Sequence, residues 1–311
     1  MEHIVEVEEI SIKVPWGHVA AKWWGSRQIR PIVMLHGWQD NAGTFDPLIP
    51  QLPRHLSYLA IDLPGHGQSS HLPHGMIYSN INYIYVLRLI YKQFNWDKIS
   101  LAGHSMGAII SFLYAYSFGN ECDMVVAIDA LVPIPTMNHL VVDGYRNGLN
   151  EILISDERNI AGTEPPSYRY ETTVEKLLGG TFSSYTRESL PYLLQRGIKA
   201  SKFNPDKYFY IRDNRIKTRL NFFQMTKESW VEIASSITVP YCYIKALQCG
   251  FNTQWDYMDE ILQTMKDSNP SFEVHGVDGD HHVHLTDPEK VSEIIGRFIE
   301  LHRPVNIFSK L

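Results

Sequence analysis

Two hydrophobic periods take turns along the chain, and their order predicts the fold. Ile4 to Val14 alternates apolar and charged residues, the period-two pattern of a half-exposed strand. Pro15-Trp16-Gly17 turns the chain, and His18 to Trp24 runs back to make a hairpin. Ile32-Val33-Met34-Leu35, Tyr58 to Ile61, Ile99 to Ala102 and Met124 to Ile128 are short and almost wholly apolar, as strands buried on both faces are. Between them, Ile77 to Phe94 and Met106 to Tyr116 show the wider spacing of helices, the second ending near Gly119. Such succession predicts an α/β fold, a mostly parallel sheet with helices on both faces.

The alternation lapses from Pro133 to about Glu232, where the pattern predicts helices and loops and no clear buried strand. It resumes with strand Val239 to Ala246, a helix from about Trp255 to Met265, strand Phe272 to Val277 and helix Pro288 to Leu301. An insertion of this length between two late strands predicts a helical cap over the sheet edge. The expected organisation is therefore a core over 1–132, a cap over 133–232 and the rest of the core over 233–311. Neither internal repeats nor low-complexity tracts interrupt it.

Composition narrows the class. The 311 residues are 44% hydrophobic and carry a formal net charge of −6, which allows a full core and gives no overall basic field to steer nucleic acid. Cys122, Cys242 and Cys249 are too few for a disulfide framework, which fits a reducing interior. The acidic start from Met1 to Val7 lacks the features of a secretory signal, and no run approaches the roughly 18 apolar residues of a membrane span. Ser309-Lys310-Leu311 at the carboxyl end matches the peroxisomal address, so a peroxisomal location, with a cytoplasmic share, and an import receptor as partner are expected.

Candidate chemistry begins at Gly103-His104-Ser105-Met106-Gly107, which fits the nucleophile elbow G-x-S-x-G. Serine on a sharp strand-to-helix turn needs small neighbours so that strand and helix can pack around it. The helix beneath offers unbonded N–H groups and the positive end of its dipole to a developing oxyanion. His36-Gly37-Trp38 follows a predicted buried strand, and its glycine lets the next amide swing toward a substrate carbonyl. The backbones of Trp38 and Met106 are thus the expected oxyanion donors, with His36 a buried histidine that orients the loop. Asp62 to Ser69 reads as a structural glycine-rich turn beside the site; it lacks the setting of a phosphate loop.

These motifs, in this order and with a late histidine cluster, resemble those of the α/β-hydrolases over nearly the whole chain outside the cap. The resemblance is nearest to the serine hydrolase-like proteins (the kraken group). It is carried by His36-Gly37-Trp38 with Asp40-Asn41 and Phe45-Asp46, by Arg212-Asp213-x-Arg215, and by His281-His282-Val283-His284-Leu285. It implies an α/β-hydrolase fold and a Ser-His-Asp triad. Aligned with the family's closing G-H-x-x-x-L-x-x-P pattern through Leu285 and Pro288, His281 takes the position of the base, with His282 and His284 as rivals. Most relatives carry the acid just past the strand that here ends at Ala246, yet Leu247 to Phe251 holds no carboxylate. Asp129 ends the preceding strand, and parallel neighbours finish on the same edge roughly 4.8 Å apart. Some relatives, haloalkane dehalogenases among them, use that earlier strand. Asp129 is the expected acid and Asp256 the alternative.

The expected activity is cleavage of an ester or thioester of a hydrophobic acyl substrate through an acyl-enzyme, without cofactor or metal. Serine at the elbow disfavours epoxide hydrolase and dehalogenase chemistry, both of which need a carboxylate there. A ligand-binding protein of this fold with little turnover, or an acyltransferase, is the competing class. In the cap, Tyr168, Tyr170, Tyr185, Tyr192, Phe203, Tyr208, Phe209, Tyr210, Phe222, Phe223 and Trp230 supply apolar surface, a few of them for an acyl pocket. Lys199, Lys202, Lys207, Arg212, Arg215 and Lys217 outnumber Asp206 and Asp213 there; this reads as a solvated face, or as an anion-binding rim for a charged substrate such as a CoA ester. A proton-accepting imidazole also predicts loss of activity as pH falls through the range, near about 6.5, where histidine titrates.

Overall fold

A computed structural model describes residues 6–133, 138–180, 184–218, 225–249 and 257–303. Asp256, Phe222, Phe223 and the Ser309-Lys310-Leu311 tripeptide lie outside the described residues. Strands β1 (Val7–Val14) and β2 (Gly17–Trp24) form the expected hairpin. They are followed by β3 (Ile32–Leu35), β4 (Tyr58–Ile61), α1 (Asn80–Gln93), β5 (Ile99–His104), α2 (Met106–Phe118) and β6 (Cys122–Ile128). After the insertion come β9 (Tyr241–Ala246), α7 (Met258–Ser268), β10 (Phe272–Val277), the short α8 (Val283–Thr286) and α9 (Glu289–His302).

Eight strands make one sheet in the order β1-β2-β4-β3-β5-β6-β9-β10, antiparallel at the β1-β2-β4 end and parallel from β4 to β10. Side chains of successive residues leave a strand on opposite faces, and each apolar run therefore feeds two cores. Val33 and Leu35 pack with α1, α2 and α7, through residues such as Val86, Phe112 and Ile261, while Ile32 and Met34 pack on the other face with Ile295 and Phe298 of α9. This double burial is why these strands read as unbroken apolar runs.

The insertion holds α3 (Asn138–Ile160), α4 (Tyr170–Leu178), α5 (Leu190–Gly197) and α6 (Lys227–Ser235). Two findings add detail to the helical cap expected over 133–232. Ile198–Ala200 (β7) and Tyr208–Tyr210 (β8) pair as a small antiparallel sheet, too short and too exposed to leave a strand signature in the sequence. The expected boundary at 232 also falls inside α6, whose Trp230 and Ile233 pack into the main core with Phe112. Among the described residues, no helix is long and apolar enough to cross a membrane.

Candidate active site

Ser105 sits between the last residue of β5 and the first of α2, with φ 51° and ψ −116°. That conformation strains any residue with a side chain and is held by its surroundings. A Cβ on Gly103 would lie 2.3 Å from the backbone of Gly107, and one on Gly107 would lie 2.0 Å from the carbonyl oxygen of Leu35 in β3. Neither neighbour can yield without shifting the backbone of α2 or of β3. Gly107→Ala is therefore expected to destabilise the protein by more than about 4 kcal/mol, a range reached by few substitutions. Gly119→Ala, where a Cβ meets nothing within 4 Å, serves as the control. Soluble yield and urea unfolding check this; near-equal behaviour of the two variants would refute the packing argument.

Asp129 stands at the same level on the next strand. His104 pairs with Ile128 and Ile128 with Ile244, so the residue after each strand continues the ladder: Ser105 N–H donates to Ile128 O at 2.9 Å and Asp129 N–H to Ile244 O at 2.8 Å. Asp129 also has φ 51°, and its carboxylate is buried. Oδ1 accepts the Ala246 N–H at 2.9 Å, leaving Oδ2 directed at His281 Nδ1, 2.6 Å away. His281 Nε2 is 3.0 Å from Ser105 Oγ. The carboxylate fixes the proton on Nδ1, so Nε2 faces the hydroxyl as an acceptor. Past β9, where the commoner acid would stand, Cys249 places its Sγ 3.7 Å from His281 Nδ1.

The rival histidines have other partners. His282 Nδ1 meets Ser184 Oγ at 2.6 Å, and His284 Nε2 meets Thr44 Oγ1 at 2.9 Å. His104, the variable position of the elbow motif, donates from Nε2 to the His281 carbonyl at 2.8 Å and so holds the backbone of the imidazole. Nothing in its sequence setting distinguishes this role, since the motif tolerates any residue there. His36 acts as the sequence leads one to expect: Leu63 N–H donates to its Nε2 at 2.9 Å, so Nδ1 carries the proton and donates to Gly37 O at 2.7 Å. Asp40 N–H bonds the same carbonyl at 3.2 Å. A Cβ on Gly37 would come within 3.3 Å of Ser105 Cβ, which puts the Gly37–Trp38 peptide beside the hydroxyl. Asp62 organises the glycine-rich turn: it accepts the Ala42 and Gln68 amides, each at 2.8 Å, and pairs with Arg196 at 2.8 Å.

Burial sets the protonation of this region. His36, His66, His104, His282 and His284 are all driven below the ordinary histidine range, chiefly by desolvation of the charged ring, His36 to about 4 and His284 to about 3. Asp40 is pushed up to about 7 by the same cause, and its Oδ2 has no hydrogen-bond partner among the described residues. Each histidine binds a proton in the unfolded chain below about 6.5 and in the folded chain only at lower pH, so stability present above 6.5 drains as pH falls. For His36 the displacement from 6.5 to about 4 corresponds to about 3 kcal/mol. Asp40 works oppositely, its favourable contribution being lost as pH rises toward 7. Five groups outweigh one. The urea midpoint is expected to fall sharply between pH 7.5 and pH 5, and a flat profile would contradict the buried neutral rings.

Two sets of donors converge closely enough to consider a metal ion: Asp40 with His104 and His282, and Asp129 with Cys249 and His281, in each case within 4.8 Å. In the second set the carboxylate–imidazole hydrogen bond already accounts for the convergence.

Ser105 and His281 open into a cavity of about 440 Å³ whose outer wall comes from the insertion, including Tyr168, Leu177, Tyr185 and Tyr210. Of the remaining cap aromatics, Tyr170, Tyr192 and Phe203 are exposed, Tyr208 and Phe209 are half-buried in β8, and Trp230 belongs to the core. A hydroxyl on a strained elbow, an imidazole and a carboxylate at the ends of a parallel sheet point to one superfamily, and residues 30–196 match the family described as alpha/beta hydrolase fold. The chain belongs to the α/β-hydrolase superfamily. It is 37% identical over 297 residues to a "Probable serine hydrolase" of Drosophila melanogaster, covering 94% of this chain and 88% of that protein. It is 32% identical over 311 residues to a mouse "Serine hydrolase-like protein", covering 94% and 95%. A hypothetical protein of Pseudomonas aeruginosa superposes with a TM-score of 0.80 at 28% identity, over 94% of this chain and 98% of that one. For this hydrolase, family and fold thus support the coarse assignment of a probable serine hydrolase.

Proposed function

We propose that this α/β hydrolase cleaves a carboxylic ester or thioester of an acyl substrate through a covalent acyl-enzyme, with Ser105 as nucleophile, His281 as base and Asp129 as its orienting acid. The observation that carries the reading is the continuous contact from Ser105 Oγ to His281 Nε2 at 3.0 Å and from Nδ1 to Asp129 Oδ2 at 2.6 Å. A serine hydroxyl is a weak nucleophile until a base within this reach accepts its proton. Oγ attacks the acyl carbon, the proton passes to Nε2, and the Asp129 carboxylate stabilises the imidazolium. His281 then protonates the departing alkoxide or thiolate, and water repeats the sequence on the acyl-enzyme.

Trp38 and Met106 are the amides proposed to hold the oxyanion. Met106 opens α2, where the first amides lack intrahelical acceptors. His36 and Asp40 both bond the Gly37 carbonyl, and in a trans peptide the following N–H, that of Trp38, points the opposite way. Losing one such donor typically costs about 10²–10³ in rate. The Asp129 contact supports turnover over the alternative of a ligand-binding protein with little activity.

A fluorophosphonate probe tests the reading. It should label the native hydrolase once, with the adduct on the peptide containing Ser105, and should fail on heat-denatured protein. Absence of labelling on folded protein, or an adduct elsewhere, would overturn it.

A further inference from the structure

Among the described residues, the buried arginines Arg196, Arg215 and Arg303 all have polar partners. Arg196 pairs with Asp62 and Glu9, and Arg215 with Asp213 and with the carbonyls of Leu72, Pro73 and Met76. Arg303 bonds Ser100 Oγ and the Arg30 carbonyl. Arg212, half-buried, differs from them. It lines the cavity in front of Ser105, its Nε is shielded from solvent with no acceptor, and no ion pair reaches it among the described residues. Its neighbour Asp213 cannot serve, being occupied by Arg215, by the Tyr78 hydroxyl and by the Arg215 amide.

The position is rigid. Ile211 N–H bonds Gly197 O at 3.0 Å, Asp213 N–H bonds Gly65 O at 2.8 Å, and the guanidinium lies 4.2 Å from the centre of the Tyr210 ring. Lys176 and Lys217 line the same cavity, and among the described residues no Asp or Glu does. Desolvation lowers the pKa of both Arg212 and Lys217, and the neighbouring Arg212 and Arg158 charges lower that of Lys217 further, against a pull upward from Glu151. Of the basic residues that the sequence groups into a rim, Lys199 and Lys202 are exposed on the hairpin side and Arg215 is internally matched; only Arg212 and Lys217 reach the cavity.

We propose that Arg212, with Lys176 and Lys217, binds an anionic group, a carboxylate or phosphate, carried by the ester or thioester that Ser105 cleaves. This rests on the hydrolase reading above. A planar fork is suited to bidentate contact with such a group, and an oxyanion would supply the acceptors the guanidinium lacks.

Three probes separate the sources of the anion: neutral 4-nitrophenyl butyrate, mono-4-nitrophenyl glutarate with its carboxylate on the acyl side, and butyryl-CoA with phosphates on the leaving group. Arg212→Met should reduce kcat/KM for at least one anionic probe about 30-fold more than for the neutral ester, mainly through KM, the scale of a lost charged hydrogen bond. The responding probe identifies the side that carries the anion. Lys199→Met, removing a charge from the exposed hairpin, should leave the ratios unaltered. Glutarate or CoA should also raise the Tm of wild type and not of Arg212→Met. Equal losses on all three probes, together with no Tm difference, would overturn the proposal. Fluorophosphonate labelling of Ser105 is scored separately: labelling with no anion effect sinks this inference alone, and an anion-dependent Tm shift without labelling sinks only the hydrolase reading.

Discussion

Ser105→Ala is expected to lower ester turnover by on the order of 10⁵-fold while leaving a folded protein, because residues of the proposed triad act as one unit and alanine removes only the hydroxyl of a half-buried residue. The strain at this position adds a second readout. At φ 51° both serine and alanine are disfavoured, whereas glycine adopts this region freely. Ser105→Gly should therefore be equally inactive yet more stable than Ser105→Ala by about 1 kcal/mol. Initial rates on 4-nitrophenyl butyrate and thermal melts decide both points. Residual activity above one hundredth of wild type in Ser105→Ala would exclude this hydroxyl as the nucleophile.

Asp129→Asn is expected to lower kcat by about 10³–10⁴-fold with little change in KM. The tautomer of His281 decides this. Asparagine can still accept the Ala246 amide through its carbonyl, but it then turns an NH₂ toward His281 Nδ1 where a carboxylate oxygen now lies at 2.6 Å. Nδ1 must become the acceptor, the ring proton moves to Nε2, and Nε2 can no longer take the proton of Ser105. Asparagine also tolerates positive φ better than most residues, so the turn at 129 should survive. Asp256→Asn, the alternative from the sequence, should stay within a few-fold of wild type. The reverse ranking in single-turnover rates would reassign the acid.

Much of this site was legible in order along the chain. Gly103 and Gly107 could be assigned from the motif because the close approach they permit is a local requirement of the elbow, and the distances at Gly107 bear out that packing. His36 could be read as a structural histidine for a similar reason, since it borders a buried strand. His104 could not, because its bond to the His281 carbonyl spans 177 positions of sequence and leaves no local trace. The β7–β8 hairpin escaped for want of periodicity: three residues a strand, none of them fully buried, carry too few positions to show alternation.

The sequence by itself determined the sheet, the elbow and the chemical types available, because burial on two faces and a strained turn each impose a local pattern of residues. It also determined that the chain lacks a carboxylate just past β9. What only the tertiary structure decided is which distant groups meet: that Asp129 lies against His281, and that Arg212 and Lys217, out of a cluster of basic residues, face the cavity, the Arg212 Nε without an acceptor among the described residues. The reason is physical. Hydrophobic period is a property of neighbours along the chain, whereas pairing of charges and hydrogen bonds depends on strand order and register, which bring residues 105, 129 and 281 to one edge of one sheet.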